Sequence, residues 1–89
     1  MKEVKKSTLI KNIIQDALRL RMSQRGGNLG HNEEYNYQTE NYTVLIRGPN
    51  RFNKYGQASV MTLDESEDWI CDIHPSGLVR GTPKQIRGN

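Results

Sequence analysis

The sequence predicts an α+β domain, one N-terminal amphipathic helix packed on a three- to four-stranded antiparallel sheet arranged as a meander. Three observations predict it. Apolar residues of helical period fill the first part of the chain, strand-like runs fill the second half, and glycine, proline or acidic turns separate those runs. With 89 residues, 34% of them hydrophobic, the chain is expected to form one domain, 1–89, with a modest core. A chain of this size buries roughly 60–65% of the surface its unfolded form exposes.

The helix is expected from about Ser7 to Arg25. Leu9, Ile10, Ile13, Ile14, Ala17, Leu18 and Met22 follow the i, i+3, i+4 repeat of one buried stripe. Ser7 or Thr8 can cap its start, because a hydroxyl accepts from the free amides of the first turn. Arg19, Arg21 and Arg25 crowd its end, where cations complement the helix dipole.

The stretch RGGNLGHNEEYNYQ (25–38) follows, three glycines within five residues and then His31, Glu33 and Glu34. A phosphate-cradling glycine loop leads into a helix N-terminus, where free amides point at the anion. Here the glycines come after the helix, so Gly26 and Gly27 are expected to cap its carboxyl end. Residues 26–41 then form a polar connection, in which Tyr35 and Tyr37 alternate as in a short edge strand.

The sheet is expected over about 42–81. YTVLIR (42–47), QASVMTL (57–63) and DWICDI (68–73) are its strands, with LVRG (78–81) weaker and 82–89 a basic tail. Gly48-Pro49-Asn50, the DESE run (64–67) and His74-Pro75-Ser76-Gly77 supply the turns. Alternation turns Tyr42, Val44, Ile46, Trp69, Cys71 and Ile73 toward the helix. In the second run, either Ala58 with Val60 or Met61 with Leu63 faces inward. Leu45, Arg47, Ile70, Asp72 and His74 fall on the other face, which a single helix leaves open as a candidate partner surface.

The net charge of +3 conceals alternating blocks. Residues 1–25 carry +5, 26–46 carry −3, 47–57 carry +3, 58–74 carry −5 and 75–89 carry +3. Distinct basic and acidic surfaces follow, rather than the uniform cationic character of a dedicated duplex binder. The lone Cys71 excludes an internal disulfide framework, and the apolar residues near the start are interrupted by Lys11, Asp16 and Arg19. A cytoplasmic setting is expected, with no membrane segment.

Cys71 and His74 are three apart, hence on opposite faces of a strand, and no metal or cofactor is expected. The functional expectations are therefore ranked by surface. First comes a non-enzymatic binding protein, an inhibitor or regulator of a larger nucleic-acid-handling protein assembly, of the phage or mobile-element accessory kind. Its contacts would be the acidic turn Asp64, Glu65, Glu67 and Asp68, the open-face residues Leu45, Ile70 and His74, and the 47–57 loop. A homodimer through the open face fits the same features. Second is direct binding of DNA or RNA by Arg47, Arg51, Phe52, Lys54 and Tyr55, cations interleaved with aromatic rings. The carboxylates of 64–72 count against it, since nearby they would repel a phosphate backbone. Third, by topological analogy with small bacterial ribonuclease toxins, is RNA cleavage centred on His74 and Asp72 with Arg47 and Arg80.

Overall fold

The computed structural model describes residues 5–25 and 29–88, with 22–25 as helical backbone only. One helix packs on one face of a five-stranded antiparallel sheet. The elements are α1 (Lys6–Arg25), β1 (Glu34–Gln38), β2 (Tyr42–Arg47), β3 (Gly56–Thr62), β4 (Asp68–Ile73) and β5 (Val79–Arg87). Each strand neighbours its predecessor, so the sheet is the expected meander with five strands instead of three or four.

The helix begins slightly earlier than expected. The Lys5 carbonyl accepts from the Thr8 and Leu9 amides at 3.0 and 3.1 Å, which makes Lys5 the cap and puts Ser7 and Thr8 inside the first turn. Ile10, Ile14, Ala17 and Leu18 are buried and Ile13 partly so, while Leu9 lies off the stripe and is exposed. Met22 and the expected cap at Gly26 and Gly27 fall outside the described side chains and residues.

Register settles the inward face of the sheet. Tyr35, Ile46, Ala58 and Cys71 line up across four strands, as do Tyr37, Val44, Val60, Trp69 and Gln85 across five. Ala58 and Val60 therefore face the helix, and Leu63 lies beyond β3, exposed. Val44, Ile46, Val60, Ile73, Ile10, Ile14 and Leu18 are the largest fully buried side chains. Each such aliphatic residue contributes roughly 1.5–3 kcal/mol by leaving water.

Two expectations are corrected at the sheet edges. The connection 26–41 holds the edge strand β1 that the alternation of Tyr35 and Tyr37 suggests, and the sheet therefore starts before 42; the tyrosines bury one side against the core while Glu34, Asn36 and Gln38 face solvent. The preceding residues are tied down as well. Leu29 is buried and its amide donates to the Pro75 carbonyl (2.9 Å), Asn32 N–H donates to Pro49 O (2.8 Å), and Gly48 N–H donates to Glu33 O (2.8 Å). Chain crosses chain so closely that a Cβ on Gly48 would collide with the Gly30 carbonyl oxygen. Arg21 closes the same corner, its guanidinium donating to both Glu33 oxygens at 2.7 and 3.2 Å and lying 5.1 Å from the Tyr35 ring.

The basic tail is the other correction, since residues 82–87 complete β5. Asp72 pairs with Arg80 and Ile70 with Lys84, so the single residue Cys71 of β4 stands opposite three of β5. The excess is a bulge at Gly81-Thr82-Pro83, where Gly81 takes a left-handed φ of 76° that favours glycine. Proline lacks a ladder donor and is confined to edge strands or bulges; here it occupies both. Among the described residues no helix is long and apolar enough to cross a membrane.

Candidate nucleic-acid interface

The hairpin between β2 and β3 is a built turn. Asn50 and Asn53 exchange backbone hydrogen bonds at 2.9 and 3.2 Å. Asn50 Oδ1 also accepts from the Phe52 and Asn53 amides at 2.8 and 3.0 Å, and Asn53 Oδ1 from the Tyr55 amide at 3.0 Å. Such Asx turns fix a tip without any packing behind it. Arg51 and Phe52 stand at that tip. Phe52 is 85% exposed, with the Arg51 guanidinium 4.9 Å from its ring centre.

Tyr55 does something different. Its odd-numbered position puts it on the open face with Gln57, Ser59 and Met61. There Arg80 lies 4.5 Å from its ring centre, Lys54 5.4 Å, and His74 meets it edge-on at 5.3 Å. Tyr55 is thus a hub that gathers cations, and Phe52 is the ring left exposed. The antiparallel order of β3, β4 and β5 brings the β4–β5 turn beside the β2–β3 loop. That register joins His74 and Arg80 to residues some twenty positions away in sequence.

Carboxylates at this end are neutralised. Arg80 Nη1 sits 3.4 Å from Asp72 Oδ2, Arg47 Nε sits 3.5 Å from Glu34 Oε2, and Glu33 is bound by Arg21. Among the described residues Arg51, Lys54 and Lys84 have no carboxylate partner. The acidic turn, by contrast, lies at the far end of the sheet. Six residues of β2 separate the two ends, about 20 Å at ~3.3 Å per residue, or more than two Debye lengths at physiological salt. The repulsion expected from 64–68 is therefore largely screened at the 47–57 loop.

The acidic turn is also occupied with its own fold. Asp64 accepts from the Ser66 hydroxyl (2.7 Å) and amide (3.0 Å), which hold its carboxyl down at about 2. Glu67 pairs with Lys6 at 3.2 Å and accepts from the Trp69 indole at 3.3 Å. The bond from Lys6 raises that ammonium's pKa. Asp68 accepts from Ser59 at 3.3 Å. Of the four carboxylates, Glu65 is the one that points outward with no bond among the described residues; its φ of 63° completes the turn.

The other expected site residues are placed as follows. Leu45 and Ile70 are half-buried on the open face, in a row that reads Asn36, Leu45, Ser59, Ile70, Lys84 across the strands. Polar residues separate the two apolar ones, so they do not merge into one patch. Asp72 and His74 share that face, but Asp72 bonds Arg80 while His74 packs on Tyr55, and no hydrogen bond joins the two among the described residues. Cys71 is buried on the opposite face, and burial raises its thiol pKa. Among the described residues no three histidine, cysteine, aspartate or glutamate side chains gather as metal ligands would.

Comparison with known proteins finds no matching family, no similar characterised protein and no similar solved structure.

Proposed function

We propose that the protein acts by binding, on a nucleic-acid-handling assembly, and that its contact there is with the nucleic acid itself. The interface is the end of the molecule formed by Arg51, Phe52, Lys54, Tyr55 and Arg80. One observation carries this choice: an open phenylalanine and a cation-ringed tyrosine converge at the end of the sheet remote from the acidic turn. Cations neutralise phosphates with release of counterions, and an open aromatic face stacks on an unpaired base for about 1–3 kcal/mol. Regulation through a basic protein partner has less support, because three of the four turn carboxylates are held by the protein's own donors.

The test is fluorescence anisotropy with labelled single- and double-stranded DNA and RNA at several salt concentrations. Binding is expected to weaken linearly in log salt, with the probe intact afterwards. No binding at low salt would overturn the assignment, and a cleaved probe would return the function to the ribonuclease class.

A further inference from the structure

We propose that the recess at the β5 bulge is a phosphate subsite, which seats the backbone of a single-stranded nucleic acid whose base stacks at the loop tip. The proposal rests on nucleic-acid binding at the loop end and adds a second, separate contact point. The two extra residues of β5 push Gly81-Thr82-Pro83 out of the ladder and open a recess of about 330 Å³ beside β4. Arg80, Thr82 and Lys84 line it from β5, Ile70 and Cys71 from β4, and Asp72 contributes the one carboxylate. That carboxylate is bound to Arg80, and Lys84 has no carboxylate partner among the described residues.

The main chain is open to approach as well. A Cβ added at Gly81 would meet no atom within 4 Å, so a ligand can approach the main chain there directly. Arg80 belongs to both places, lining the recess while its guanidinium covers Tyr55. A continuous path of positive groups therefore runs from Arg51 and Lys54 at the tip, past Arg80, to Lys84. A single strand can follow such a path because it is flexible and its bases are free for Phe52. In a duplex the bases are already stacked with one another, and Phe52 would have no partner.

The experiment uses the whole chain, fluorescein-labelled dT12 and a labelled 12-base-pair duplex. Lys84 is exposed, so Lys84→Gln leaves the fold intact. It is expected to reduce the slope of log K against log salt for dT12 by about 0.7, and to weaken binding about fivefold at 0.1 M salt. Amide resonances of Gly81 and Thr82 should shift on addition of dT12. Wild-type dT12 affinity and slope in Lys84→Gln, with Arg51→Ala/Lys54→Ala still weakening binding, would overturn the subsite and leave the loop interface standing. Equal losses for the duplex and dT12 would overturn the single-strand assignment. Shifts with inorganic phosphate but none with dT12 would make the recess a free-anion site and also overturn it. If no oligonucleotide binds the wild-type chain, the loop interface falls and the subsite with it.

Discussion

Replacing Arg51 and Lys54 together by alanine tests the interface most directly. Both side chains are exposed, neither has a carboxylate partner among the described residues, and their removal leaves the Asn50 and Asn53 turn bonds in place. Each phosphate contact on a single strand contributes about 0.7 to the slope of log K against log salt, so two contacts contribute about 1.4. Raising salt fourfold, from 50 to 200 mM, should then shrink the affinity advantage of the wild type about sevenfold. Anisotropy titrations of both proteins with the same dT12 probe at four salt concentrations give the two slopes. Parallel slopes would refute the reasoning, because charges that touch phosphate cannot be removed without changing counterion release.

Other perturbations test the fold around the site. Asp64 has its carboxyl held at about 2 against an ordinary 3.8, so it contributes stability above about pH 4 that is lost as pH falls through 2. Asp64→Asn should lower the urea midpoint at pH 5 by an amount that shrinks as pH falls through 2 and is gone by about pH 1. The difference should be small because the group is exposed; a gap at about pH 1 as large as at pH 5 would be evidence against the turn bonds as its cause. Gly48→Ala forces a methyl into the Gly30 carbonyl and should cost about 3 kcal/mol in urea unfolding, the upper end of overpacking effects. An unchanged midpoint would mean that the two segments do not cross there. Cys71, buried with a raised thiol pKa, should react with a disulfide reagent at pH 8 at least about tenfold more slowly folded than in urea. Equal rates would place it at the surface.

Helix α1 and strands β2 to β4 were legible in the sequence because their apolar residues keep a period that burial demands on one face. Strand β1 was half legible, since Tyr35 and Tyr37 alternate but their surroundings are entirely polar. Strand β5 was legible only in its first residues, as LVRG, and the bulge is the reason. Gly81, Thr82 and Pro83 interrupt alternation where the strand leaves its ladder, so VRG resembles a short strand and PKQIR a tail. The loop cluster Arg51, Phe52, Lys54 and Tyr55 was legible as composition, although the separate duties of Phe52 and Tyr55 were not. Contacts to His74 and Arg80 depend on strand register, which no local pattern in 47–57 encodes.

The same register reverses the sequence's main argument against nucleic-acid binding. Along the chain, the carboxylates of 64–68 lie ten to fourteen residues from Lys54, close enough to look like a single mixed surface. A meander sends successive turns to opposite ends of the sheet, so neighbours in sequence become the two poles of the molecule. Of the 58–74 block, Asp72 is the acidic residue that returns to the basic pole, and there Arg80 accompanies it. A blocky charge sequence with a period near one strand plus one turn therefore becomes a polarised molecule when it is folded as a meander. Such a molecule would orient its basic pole toward a polyanion before contact. An Asp64→Asn/Glu65→Gln double variant should accordingly change the association rate with dT12 far less than Arg51→Ala/Lys54→Ala does. Stopped-flow anisotropy at low salt would measure both, and equal effects would show that the two poles are not electrostatically separate.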